Sequence, residues 1–108
     1  MKAYLIDPEK KEVTEVEYSG DYKDIYKLID CSTFEIVGIT PKGDGIYVDE
    51  EGLYAEKKHL WSFKGILFNN HMFNLINKGI VLGSNIVGDT IEPDLSLEEV
   101  KERVVWHW

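Results

Sequence analysis

Between Lys57 and His71 the chain gathers positive charge, ring faces and amide groups: Lys57-Lys58-His59-Leu60-Trp61-Ser62-Phe63-Lys64, then Asn69, Asn70 and His71. Such a mixture can hold an anionic nucleotide, because rings stack on a base, lysines meet phosphate and amides hydrogen-bond the base edge. His59, Trp61, Phe63, Lys64, Asn69, Asn70 and His71 are therefore candidate ligand contacts. The same aromatic residues would equally serve as core for a small domain, with the lysine stems running over them to water. Both readings remain open from the residues alone.

A second constellation is acidic. Glu12, Glu15, Glu17, Asp21, Asp24, Asp49, Glu50 and Glu51 are candidates for a negatively charged surface that meets a basic partner, since complementary charge accelerates encounter and confers specificity. The triplet Asp49-Glu50-Glu51 lacks the alternating acids and central glycine of a calcium loop and reads as a solvated hairpin tip, with Gly52 supplying a left-handed turn. Cys31 follows a helix and has no base beside it, so nothing in its setting makes a nucleophile. His59, His71 and His107 match no zinc spacing. Neither glycine-rich phosphate-loop fingerprint is present, nor is a G-x-S-x-G elbow. The chain is expected to have no catalytic residues, to hold no metal and to need no cofactor.

Composition sets the frame for these groups. With 108 residues, 44% of them apolar and 30% charged, the chain is expected to form one domain spanning residues 1–108. Twenty acids against twelve bases give a net charge of −8, which argues against direct gripping of nucleic acid by counterion release. The imbalance belongs to the first half, where residues 1–56 carry fourteen acids and six lysines. A single cysteine and apolar runs of at most four residues point to a reducing cytoplasm and away from a membrane.

The elements that must position these groups follow from spacing. Lys2–Ile6 and Glu12–Tyr18 read as strands joined by the polar Asp7-Pro8 turn. Tyr22, Ile25, Tyr26 and Ile29 fall on one face of a short helix. Phe34–Thr40 and Ile46–Asp49 form a second hairpin around Pro41-Lys42-Gly43-Asp44-Gly45. Residues 55–77 fit neither strand nor helix period throughout and read as mixed loop and short helix. Gly79–Gly83 encloses a strand, and Thr90-Ile91 adds a short extended piece. Ser96 with Glu99 forms a capping box before a helix that buries Leu97, Val100 and Val104. Val104–Trp108 reads as a last strand that carries Trp106 and Trp108 either into the core or onto a partner. The expected fold is α+β: a small antiparallel-rich sheet, two hairpins plus C-terminal strands, with two helices packed on one face.

Several of these segments together resemble a known family. The segments are the opening strand and turn, Leu28-Ile29-Asp30-Cys31, Phe34-Glu35-Ile36-Val37, Ile46-Tyr47-Val48-Asp49-Glu50-Glu51-Gly52-Leu53, Lys78-Gly79-Ile80-Val81-Leu82-Gly83 and the late acidic helix. They resemble a family of small proteins of unknown function found in tailed bacteriophages, plasmids and their bacterial hosts, and the middle of the chain departs from it. What the resemblance implies is a mobile-element protein working inside a bacterial cell. The favoured function is a non-catalytic accessory protein that binds and inhibits a host protein, such as a nucleic-acid-binding defence enzyme, through its acidic surface. The alternative is a sponge that sequesters an anionic nucleotide signal, with a site at a subunit interface of a homo-oligomer as one form. A nucleotide hydrolase ranks last.

Overall fold

The chain opens with β1 (Lys2–Asp7) and β2 (Glu12–Glu17), paired antiparallel from Lys2↔Glu17 to Asp7↔Glu12. Their turn is held by Asp7 Oδ1, which accepts from the backbone N–H groups of Glu9 (3.1 Å) and Lys10 (3.4 Å). A short helix, α1 (Lys23–Leu28), leads to the hairpin β3 (Phe34–Ile39) and β4 (Gly45–Asp49). After a 3-10 turn (Gly52–Tyr54) come β5 (Leu60–Phe63), β6 (Phe68–Asn69), β7 (Leu75–Ile76), β8 (Gly79–Ser84) and β9 (Thr90–Ile91). The capped helix α2 (Leu97–Arg103) and β10 (Val104–Trp106) follow. These elements come from a computed structural model that describes residues 1–40, 42–65, 68–69 and 74–107.

All described strand pairs are antiparallel. The larger sheet runs β2-β1-β8-β4-β3-β6, with β9 hooked onto β8, and a second sheet runs β10-β5-β7. The reason β8 lies in the middle is its run Ile80-Val81-Leu82, which is buried throughout and suits only a strand covered on both faces. Register then sorts the side chains. Tyr4, Val81 and Ile46 align on one face, Leu5, Ile80 and Tyr47 on the other.

Each face has its own cover. Ile25 and Ile29 of the α1 region pack with Ala3, Ile80 and Leu82, and a chain of rings, Tyr26–Phe34 at 5.4 Å and Phe34–Tyr47 at 5.8 Å, extends that layer. On the opposite face Val100 of α2, with Trp61, Phe63 and Leu75 of the second sheet, packs on Tyr4, Ile6, Ile46, Val48 and Val81. The class expected from sequence, α+β with two helices and a mostly antiparallel sheet, is therefore what forms. The helices, however, divide between the two faces instead of sharing one, because a doubly buried central strand requires apolar cover on both sides.

Two further expectations are corrected. Within residues 55–77 the described residues are loop and strand, with strands in place of the expected short helix: Trp61 and Phe63 point into the core while Leu60 and Ser62 are only half buried, a period of two that is completed by pairing with β10 and β7. Gly52 is buried, starts the 3-10 turn and is not among the residues with positive φ, so Asp49-Glu50-Glu51 leads into that turn and is no hairpin tip.

Candidate functional site

Asn77 sits between β7 and β8 with φ +61°, a left-handed conformation that asparagine tolerates better than most residues. It makes four hydrogen bonds to β5 and the segment before it. Its Oδ1 accepts from His59 N–H at 2.9 Å, its Nδ2 donates to Lys57 O at 3.2 Å, and its own N–H donates to His59 O at 2.9 Å. Its carbonyl accepts from Trp61 Nε1 at 2.7 Å, which satisfies the one polar atom of a fully buried indole. The indole in turn lies on Gly79, where a Cβ would come within 2.7 Å of Trp61 Cζ2. Glycine at 79 is thus what lets the second sheet close onto the first.

This clamp forms one wall of a cleft of about 250 Å³ at the end of the sheet where β1 and β4 finish and β8 begins. Four carboxylates line it, Asp7, Glu9, Asp30 and Asp49, against Lys57 and Lys78. Lys78 Nζ is already engaged by Asp30 Oδ2 at 2.6 Å, and that hydrogen bond, stronger than the opposing effect of burial, raises the lysine pKa. The excess of negative charge is felt nearby by Cys31: burial first, then Asp49 and Asp30, push its thiol up to about 11. A cysteine held protonated at neutral pH is a poor nucleophile.

Of the residues proposed as ligand contacts, Trp61 and Phe63 are buried in the core and present no ring face to a ligand arriving from solvent. His59 lines the cleft beside Lys57. Lys64 is exposed at the far end of β5, where its N–H donates to Arg103 O at 2.8 Å. Asn69 lies in β6 opposite Gly38, and Asn70 and His71 lie outside the described residues. The expected basic and aromatic cluster is thus not one surface in its described part, because strand alternation sends Trp61 and Phe63 inward.

The acids fall into two groups. Glu12, Glu15 and Glu17 line the edge strand β2, and Asp21 and Asp24 follow at the start of α1. Pairing with β1 places Glu15 and Glu17 on the side of Tyr4, and Glu12 on the other, so charge flanks both sides of the edge. Asp24 Oδ2 accepts from Ser19 N–H at 3.1 Å and Asp21 Oδ1 from Lys23 N–H at 3.0 Å, while Glu17 pairs with the N-terminal ammonium at 3.0 Å. Glu12 and Glu15 are exposed and have no ion-pair partner among the described residues. Asp49, Glu50 and Glu51 sit across the sheet, beside the cleft; Asp49 Oδ1 accepts from Glu51 N–H at 2.9 Å.

Sequence reasoning passed over Asp7, Asp30, Asn77 and Lys78, which the fold brings together from three distant segments. A signal existed for Asn77, since asparagine ahead of Lys-Gly is turn chemistry, but not for its partners. No group of histidine, cysteine, aspartate and glutamate suited to a metal ion occurs among the described residues.

Fold and surface together define a small α+β protein with a mostly antiparallel sheet, an acidic edge and a small charged cleft. The chain belongs to the family described as a domain of unknown function, DUF3846, whose model matches residues 1–104. Comparison with curated proteins and with solved structures finds no match. Among the described residues no helix is long and apolar enough to cross a membrane.

Proposed function

We propose that this protein is a non-catalytic accessory protein of a phage or other mobile element, and that it binds and inhibits a host protein by laying its acidic edge on a basic surface. The observation that carries this reading is β2, an edge strand whose glutamates flank the strand on both sides, with Glu12 and Glu15 exposed and in no ion pair with a described residue. Like charges along an exposed edge repel one another, and of the three glutamates only Glu17 is offset by an ion pair with a described residue. A complementary surface, such as the phosphate-binding groove of a defence enzyme, converts that repulsion into fast and specific association.

The nucleotide sponge draws less support. Its two stacking rings are core, and the 250 Å³ cleft is lined by twice as many carboxylates as lysines. The cleft is also below the roughly 300–1,000 Å³ typical of small-molecule sites.

The test is retention of a bacterial host protein on the immobilised full chain. Glu12→Lys with Glu15→Lys should weaken it by about tenfold or more, since each desolvated or steering charge pair contributes on the order of 1 kcal/mol. Raised salt and added heparin, a polyanion that competes for basic surfaces, should release the partner. Retention indifferent to charge reversal, salt and heparin alike removes the acidic edge as the binding surface.

A further inference from the structure

The hairpin between β8 and β9 carries two β-branched apolar side chains where turn chemistry ordinarily places polar ones. Ile86 is 104% exposed and Val87 76%, the former as open to water as in an unstructured peptide. The turn itself is fully built without them. Asn85 N–H donates to Asp89 O at 3.0 Å and Gly88 N–H to Asn85 O at 3.1 Å, while Asn85 Oδ1 accepts from Val87 N–H at 3.1 Å and Asp89 N–H at 2.9 Å. Gly88, at φ +91°, closes the loop without strain. Asn85, Gly88 and Asp89 thus shape the turn, and the two outermost positions hold aliphatic groups that pack on nothing described. Single exposed apolar residues need no explanation, but an adjacent exposed pair on a preformed turn, with Ile91 (40% exposed) in the strand that follows it, sets aliphatic surface where a solvated loop has no use for it.

We infer that this tip is an aliphatic anchor for a protein partner whose apolar pocket is bordered by lysine or arginine. The border follows from charge. Glu92 is tied to the start of β1 through its hydrogen bond from Lys2 N–H and Asp89 flanks the tip, neither in an ion pair with a described residue, while Glu17 is offset by the N-terminal ammonium at 3.0 Å. The tip is therefore bordered by the carboxylates of Asp89 and Glu92, the arrangement of an apolar centre inside a polar rim that protein interfaces use. An anionic membrane surface would repel that rim. A second copy of the chain would set the same carboxylates against each other. Because the turn is preformed, docking it costs little ordering entropy. The inference rests on the protein-binding reading and adds a contact at Glu17's end of the acidic edge.

The test places p-benzoylphenylalanine at Ser84, beside the tip, and separately at Glu102 on the exposed side of α2, in the full chain expressed in a bacterial host. After irradiation, an adduct to one protein from position 84 and none from position 102, with the cross-linked peptide mapping beside an apolar pocket edged by lysine or arginine, is the expected result. Cross-links to lipid or to a second copy, or equal adducts from both positions, overturn it. With the captured partner purified, Ile86→Asp with Val87→Asp should weaken binding by about a hundredfold while leaving the melting temperature unchanged. Unchanged affinity overturns the anchor. Glu12→Lys with Glu15→Lys separates the two readings: affinity lost in the tip variant but not in the charge variant keeps the anchor and removes the acidic edge, and the opposite pattern removes the anchor alone.

Discussion

Replacing Asn77 tests whether the clamp that closes the second sheet depends on a side chain, a backbone conformation, or both. Asn77→Ala removes the hydrogen bonds to His59 N–H and Lys57 O. At about 1 kcal/mol each, the pair contributes about 2 kcal/mol. It also forces alanine to φ +61°, a left-handed position that costs about 1–2 kcal/mol for a residue with an ordinary Cβ. Asn77→Gly loses the same hydrogen bonds and escapes the backbone cost, offset by about 0.4–1 kcal/mol of additional unfolded-state entropy. The alanine variant should thus fall by about 3.5 kcal/mol and the glycine variant by about 2.7 kcal/mol. At roughly 4 °C per kcal/mol for a domain of this size, these become melting shifts of about 14 °C and 11 °C. Urea and thermal unfolding followed by circular dichroism read both numbers. A glycine variant as unstable as the alanine one, or less stable, refutes the stored backbone cost; two near-native variants refute the clamp.

Other outcomes follow from the same geometry. Gly79→Ala drives a methyl group to 2.7 Å from the Trp61 ring, which cannot withdraw without losing its bond to Asn77 O, so overpacking should cost about 1–3 kcal/mol and alter the near-ultraviolet tryptophan signal; a native signal and melting point would contradict the packing described. Cys31, raised from 9.0 to about 11, should react with iodoacetamide at pH 8 about a hundredfold more slowly than a free cysteine, the rate climbing with pH until about 11. Asp49→Asn should increase that rate, and a rate plateau near pH 9 would show that the thiol is not shifted. The sign for stability is that of a group with a raised folded pKa: the contribution is whole below about 9 and is lost as pH rises through about 11.

The local periodicities were legible from residue types. The hairpin turns, the face formed by Ile25 and Ile29, the capping box of Ser96 with Glu99, and the apolar run of β8 depend on neighbours within a few residues, where hydrogen bonding and side-chain direction decide the outcome. In the box Glu99 N–H donates to Ser96 Oγ at 3.1 Å, as its spacing demands. The acidic character of the first half was equally plain, because charge is additive along a chain.

What the residues by themselves could not reveal is which strand lies beside which. β8 enters between β1 and β4 from more than thirty residues away, and β10 pairs with β5 from the far end of the chain. Those long-range pairings turned Trp61 and Phe63 from candidate stacking surfaces into core, and sent the two helices to opposite faces. They also assembled Asp7, Asp30, Asp49 and Lys78 around one cleft. The physical reason is that burial is a property of the closed sheet: a ring faces solvent or core according to the strand it pairs with, and nothing in its immediate neighbours specifies that partner.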